Sequence, residues 1–321
     1  MNSNLLSEPY PVSVVICTVD RCESLRSALE AVSKWRASFQ ELIVVHGPSQ
    51  DTTVTVLDAF QPIIDKIIST SSRNVSVARN LGLKAASQEI VLYLDDDVVP
   101  PPDWLSAHLG VYTAEGKQCG CVAGAVRDKT KPTAPLQFCQ GVNSLLSESR
   151  PILDQQTQSQ YLASPYWFKG VMGANASYRR HALLEVGGFD EFFEYFLEET
   201  DACLRLIQSG YEVCHVDTVV DHYPAKSHNR QDQKHLTCWY ELAKNTSYFA
   251  LKHASKQLPT ALLMSRLTLL LTRRCLLRIL RLKLTHGLSN AVLTQYLREA
   301  MAGFQVGYAA GLALHKALEK V

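Results

Sequence analysis

Three consecutive aspartates, Asp95, Asp96 and Asp97, close an apolar run in LYLDDDVVPP (92–101). On an extended strand successive side chains take opposite faces, so Asp95 and Asp97 share a side and Asp96 points away. Two carboxylates at the carboxyl end of a strand suit a hard divalent cation that fills its shell with phosphate oxygens and water. Mg2+ or Mn2+ bridging a diphosphate is the natural occupant. The plain alternative is a solvated acidic turn, cut off from the next helix by Pro100, Pro101 and Pro102.

The elements that must hold these carboxylates are legible in the first hundred residues. VSVVICT (12–18), ELIVVHG (41–47), KIIST (66–70) and EIVLYLDDD (89–97) are short, apolar and β-branched, which predicts buried strands. Between them SLRSALEAVSKW (24–35), TTVTVLDAF (52–60) and VSVARNLGLKAA (75–86) repeat apolar residues at helical spacing. Strand–helix alternation predicts an α/β fold, a Rossmann-like parallel sheet with covering helices, whose ligands bind at the carboxyl ends of the strands. Residues 18–21, 46–51 and 95–97 all fall at such ends, so three polar stretches converge on one crevice.

Beyond Pro101 the pattern loosens. Residues 101–165 are rich in Pro, Gly, Ser and Gln, with strand-like pieces such as GCVAGAV (120–126), and 147–165 reads as a long mobile surface loop. A helix is expected at EETDACLRLIQSG (198–210), ended by Gly210, followed by a strand at YEVCHVDTVVDHY (211–223) and by helices after about residue 230. The 321 residues suffice for one large domain or two modest ones. A net charge of +1 hides an asymmetry: no acid lies between Leu242 and Leu297, where nine Lys and Arg residues fall. Nine cysteines without a CxxC pair read as reduced thiols rather than disulfides or a zinc site. The N-terminus does not have the look of a secretory signal, and no window of about 20 apolar residues suggests a membrane span.

VSVVICTVDR, VARNLG, LYLDDDVVPPPDWL, GANASYRRHALLEVGGFDE, EETDACLRL with GYEV, and DHYP together resemble, in order and spacing, the family 2 glycosyltransferases of the GT-A fold, over roughly residues 11–225. The resemblance implies a mixed α/β sheet flanked by helices, with a helical C-terminal extension. It divides the chain into a catalytic region at 1–230, with a nucleotide-binding half at 11–100 and an acceptor half at 101–230, and a basic amphipathic region at 231–321.

The resemblance also implies roles. The triplet becomes the DXD motif, with Asp95 near the nucleotide, Asp97 on the metal, and Asp96 on the nucleotide or donor sugar. Thr18, Asp20 and Arg21 become nucleotide-binding candidates, although Asp20 equally suits a helix N-cap. Arg79, next to Asn80 in the ARN element, faces the nucleotide pocket or else the helix surface. Relatives carry acids after the second strand, whereas this chain reads VVHGPSQD (44–51). His46 therefore either bonds the base or packs at the strand end, Asp51 remains a candidate, and UDP, GDP and dTDP donors all stay open. In LEETD (197–201) Glu199 aligns with the carboxylate that takes the acceptor's proton in inverting transfer, ahead of Glu198 and Asp201. Neighbours about 100° apart on a helix are not expected to face one acceptor together. Gly173 and Asn175 fit a close approach to the donor sugar, Trp167 fits the acceptor pocket or the core, and His222 completes the metal shell. His228 and the basic residues after it fit a flexible lid.

ALLMSRLTLLLTRRCLLRILRLKL (261–284) lies outside this core and reads as a basic amphipathic helix. Its arc of Arg266, Arg273, Arg274, Arg278 and Arg281 suits an anionic membrane interface. Gly303, Gly307 and Gly311 permit close helix contact. The expected protein is a metal-dependent inverting glycosyltransferase, peripheral on the cytoplasmic face of the membrane. It would act on a glycan or lipid-linked acceptor in cell-surface polysaccharide synthesis, with no nucleic-acid partner. A nucleotidyltransferase is the enzymatic alternative, but CTVDR carries no lysine or glycine-rich phosphate loop. A non-catalytic module binding sugar nucleotides or glycans at a membrane is the other.

Overall fold

The structure is a computed structural model and describes residues 9–225, 238–255 and 257–318. Strands β1 (Tyr10–Thr18), β2 (Phe39–His46), β3 (Lys66–Ser69) and β4 (Ile90–Asp95) run parallel in the order β3-β2-β1-β4. Helices α1 (Cys22–Ser33), α2 (Thr53–Phe60) and α3 (Val75–Ala85) make the crossovers. The continuous apolar run of β1 follows from burial on both faces. Val12, Val14 and Ile16 pack with Leu25, Leu29 and Val56 on one side, and Val15 packs with Ala78 and Leu83 on the other. Gly82 lets α3 lie against β1, since a Cβ there would strike the Val15 side chain.

The second half adds β5 (Val98–Val99), α4 (Trp104–Glu115), β6 (Cys119–Asp128), β7 (Leu136–Phe138), β8 (Val142–Ser144), β9 (Ser149–Arg150), α5 (Gln155–Leu162) and β10 (Trp167–Lys169). After these come β11 (Ala176–Arg179), α6 (Arg180–Glu185), α7 (Glu198–Gln208) and β12 (Glu212–His222). The main sheet continues β4-β11-β6-β12-β5, with β7 on β6. Because β11 runs antiparallel to both β4 and β6, the sheet is mixed. Strands β10, β8 and β9 form a separate small sheet.

One expectation fails between 101 and 165: residues 147–165 are not a long loop but carry β9 and α5. The helix after the prolines is α4. The helical signal was present in α4: Trp104, Leu105, His108 and Tyr112 are all buried on one face. A histidine in a core position and the flanking Pro and Gly residues masked it. All nine cysteines are free thiols.

Four helices follow: α8 (Trp239–Ala254), α9 (Thr260–Leu271), α10 (Arg278–His286) and α11 (Asn290–Leu318). Helix α8 is buried along almost its whole length. Its backbone is met by Gly303 and Gly307 of α11, where a Cβ would collide with Tyr240 O and Lys244 O. A π-helical turn, Thr272–Leu277, joins α9 to α10. That wider turn breaks the single arginine arc expected for a plain helix. Arg274 rotates inward to donate to Ser147 and Thr246, while Arg266, Arg273, Arg278 and Arg281 stay exposed.

Candidate active site

Register puts the strand ends side by side. Thr18 pairs with His46 across β1 and β2, and Cys17 pairs with Asp95 across β1 and β4. Beyond them lies a cleft of about 360 Å³, within the range of small-molecule sites. It is lined by Thr18, Arg21, Arg79, Gly173 and His222, all three aspartates of the triplet, Glu198 and Glu199.

Strand β4 stops at Asp95, and Asp96 and Asp97 form a turn. The expected alternation of faces therefore does not reach them. Asp95 turns to Arg79, while Asp96 and Asp97 together meet Arg21, at 2.7 Å and 3.2 Å. Thr18 Oγ1 donates to Asp96 Oδ2 at 2.7 Å. Burial pushes Asp96 up to about 6, with Asp97 adding and Arg21 opposing. Burial would raise Asp97 as well, but His222, Arg21 and the Ala225 N–H outweigh it and hold the group down at about 2.

His222 is the second half of this corner. Its Nδ1 is 2.7 Å from Gln137 Oε1, an amide oxygen that only accepts, so the Nδ1 proton points there. Its Nε2 lies 3.3 Å from Asp97 Oδ1, buried and at ion-pair distance. A proton or a metal ion between imidazole and carboxylate would tie the two together. Among the described residues no group of three His, Cys, Asp or Glu side chains gathers as a metal cage. A cation held by Asp97 and His222 would thus draw its other ligands from a diphosphate and water, as Mg2+-type sites do. Gln137, on β7, carried no signal in the sequence; only the fold brings it to His222.

Arg79 is the centre of the opposite wall. It is 5% exposed and reaches Glu198 Oε1 at 2.9 Å and Asp95 Oδ1 at 3.3 Å. Gly173 makes room for it, because a Cβ there would press to 2.7 Å from the guanidinium. Glu198 is pushed up to about 8, first by burial and then by the charge of Glu199, against the pull of Arg79. Both glutamates line the cleft, Glu198 with one oxygen on Arg79. The reason is upstream: Phe196 and Leu197 both adopt left-handed backbone, with φ of 78° and 76°, and set α7 entering the cleft end-on. Glu198 Oε2 and Glu199 Oε2 are buried without hydrogen-bond partners.

Several candidates stand elsewhere. Asn175 is fully buried, accepting from Trp104 Nε1 at 2.8 Å and donating to Ala125 O at 2.9 Å, with His108 Nε2 at 2.9 Å. It ties α4 to the sheet and does not line the cleft. Asp201 is fully buried among Arg205 at 2.7 Å, Lys252 at 2.7 Å and His253 at 2.8 Å, so it joins α7 to α8. Asp20 accepts from Gln50 N and pairs with Arg73, and Asp51 accepts from Cys22 N and Thr53. Both organise the loops at the strand ends. His46 bonds Ser69 across to β3 at 2.8 Å. Trp167 packs edge-on to Tyr161 in the small sheet, also outside the cleft lining. The lid proposed around His228 lies outside the described residues.

The arrangement matches a known class. The fold is shared with solved glycosyltransferases: a mannosyltransferase from Pyrobaculum calidifontis crystallised with GDP-Man and Mn2+ superposes with a TM-score of 0.53, at 15% identity, covering 98% of this chain and 88% of that one. S. aureus TarS residues 1–349, crystallised with UDP-GlcNAc, gives 0.56 at 16% identity, over 94% and 83%. The model of glycosyl transferase family 2 matches residues 13–187, and the chain belongs to that family. A model of glycosyl transferase family 21 matches residues 137–315, which carries the likeness into the C-terminal helices. A glucosyl-dolichyl phosphate glucuronosyltransferase of Haloferax volcanii is 26% identical over 183 residues, which span 56% of this chain and 56% of that protein.

Two substitutions separate structural from ligand-facing groups. Asn175→Ala should cost about 3 kcal/mol of stability, read by thermal or denaturant unfolding, while nucleotide affinity stays within a factor of about two. Asp201→Asn should cost about 3–5 kcal/mol, because Arg205 and Lys252 lose their buried counter-charge and His253 loses a charged hydrogen-bond partner. His253, Arg205 and Lys252 hold Asp201 below its ordinary value of 3.8 despite burial. Its contribution is therefore full above that value and fades as pH falls toward the folded-state pKa. An unfolding titration should show this acid-side loss in the wild type and not in Asp201→Asn.

Proposed function

We propose that this chain is an inverting, metal-dependent glycosyltransferase that moves a sugar from a nucleotide-sugar donor to a glycan or lipid-linked acceptor in cell-surface polysaccharide synthesis. The observation that carries this reading is the meeting, in one cleft, of the Asp97–His222 corner with the Arg79–Glu198–Glu199 wall. A bound Mn2+ or Mg2+ supplies charge neutralisation on the leaving diphosphate. The protein does the rest. Asp97 and His222 would hold the ion, and Gln137 orients the imidazole. Asp95, Asp96 and Thr18 shape the nucleotide side, and Arg21 keeps Asp96 and Asp97 together until donor binds.

Glu199 takes the proton from the acceptor hydroxyl as it attacks the anomeric carbon. Glu198 is the poorer candidate, since its Oε1 is already engaged by Arg79 at 2.9 Å. Its part is to seat Arg79. The mannosyltransferase and TarS structures, with their GDP-Man and UDP-GlcNAc, support a nucleotide-sugar donor without choosing its base.

We assign the chemistry to 1–230 and membrane contact to 231–321. No described helix is long and apolar enough to cross a membrane. Leu269, Leu277 and Leu284 are 61%, 53% and 86% exposed, among the exposed Arg266, Arg273, Arg278 and Arg281. Such a surface suits an anionic bilayer interface on the cytoplasmic side, where nucleotide sugars and reduced thiols coexist. The lipid-phosphate substrate in the name of the Haloferax relative agrees with this placement.

A screen of UDP-, GDP- and dTDP-sugars with Mn2+ should find one donor turned over, with activity abolished by EDTA and anomeric configuration inverted by NMR. Glu199→Gln should lower kcat by about 100-fold or more. Tight nucleotide binding without turnover of any donor would instead mark a binding module. Flotation with anionic liposomes should fall with salt and with Leu277→Glu/Leu284→Glu; indifference to both would remove the membrane assignment.

A further inference from the structure

Phe196 and Leu197 are two consecutive non-glycine residues in left-handed backbone. Each costs on the order of 1 kcal/mol or more, and such pairs persist only where the surroundings over-determine them. They directly precede Glu198 and Glu199, so the strained turn sets the direction in which both carboxylates enter the cleft. The groups that hold it come largely from α8, outside the core resemblance. Asn245, fully buried, donates through Nδ2 to Tyr195 O at 2.7 Å and to Phe196 O at 3.0 Å. Lys244 Nζ reaches Glu194 Oε1 at 3.1 Å.

From the other side, Ser76 Oγ donates to Phe193 O at 2.6 Å and Val75 N to Glu194 O at 3.1 Å. Asn245 itself has little freedom. Its amide nitrogen lies 3.3 Å from Glu241 Oε2 one turn earlier, and Gly307 of α11 seats directly on the carbonyl of Lys244 beside it.

We infer that Asn245 is a positioning residue for the transfer reaction, clamping the Phe196–Leu197 turn so that Glu199 meets the acceptor, and that α8 and α11, beside their membrane role, support the geometry of the site in 1–230. This rests on the glycosyltransferase reading above. A residue placing only the acceptor-side carboxylate acts on kcat and leaves the donor side alone, because Thr18, Asp97 and His222 are held by contacts that involve neither α7 nor α8. A side chain serving only stability would lower the melting temperature and spare both constants in the surviving folded fraction.

The test uses the full-length chain, well below its melting temperature, with the donor found in the screen. Asn245→Ala should lower kcat at least 30-fold with donor KM within twofold, and Asn245→Ser, which keeps one donor, should recover part of the loss. Hydrogen exchange should quicken in peptides covering 194–201 and stay unchanged in β1 and β4. Gly307→Ala, which displaces α8 without touching the turn, should lower kcat in the same way and serves if Asn245→Ala does not fold. Unchanged kcat, or a rise in donor KM matching the fall in kcat, overturns the inference. If the wild type turns over no donor, the transferase reading has failed, and the exchange pattern alone decides whether Asn245 holds the turn.

Discussion

A single buried guanidinium joins the two halves of the site. Arg79 comes from α3, Asp95 from the end of β4, and Glu198 from the start of α7 more than a hundred residues later. Removing a guanidinium from water is costly, and partial satisfaction would cost more than an apolar replacement. Arg79 meets that demand with two carboxylates and with the rings of Phe189 and Tyr93, at 5.5 and 5.8 Å. Lysine could not do this, for it lacks the planar fork that reaches two acids at once. The contact ties the start of α7 to the end of β4, and so one wall of the cleft to the other.

What the sequence made legible was whatever depends on period. Strands buried on both faces read as unbroken β-branched runs, and their ends located Thr18 and the aspartate triplet. Alternation failed at Asp96 because a two-residue turn ends the strand there, and turn geometry leaves no periodic mark. Asn175 misled for a different reason. Asparagine beside glycine looks like a ligand-facing loop, yet here its amide bonds an indole and an imidazole of α4 and a backbone carbonyl of β6. No single stretch of chain records such a hub. Asp20 and Asp51 show the same limit, since each acid at a strand end serves the loop that carries it.

Local rules were broken where the chemistry is placed. Neither phenylalanine nor leucine favours positive φ, and two in succession conflict with the helix that starts at Glu198. Conflicts of this kind persist in folded proteins mainly at sites where geometry outranks stability. The compensation lies far along the chain, in the polar face of α8 and the glycines of α11. Family 21 similarity reaching residue 315 agrees with a fold in which these helices are not an appendage.

Charge balance in the cleft favours the cation proposed above. Six carboxylates and three guanidiniums line the cleft, and Arg73 is already paired with Asp20 outside it. The upward displacement of Asp96 and Glu198 is the mark of that excess, burial and neighbouring acids both favouring the neutral form. A nucleoside diphosphate adds about two further negative charges. At 4 Å, and with an effective dielectric constant near 20, each like-charge pair opposes binding by about 4 kcal/mol. Arg21 and Arg79 cannot offset this alone, because both are engaged by the acids that create the problem. A divalent ion at Asp97 and His222, as proposed above, would reverse the local sign. The acids that oppose a bare diphosphate would then favour a metal-bound one.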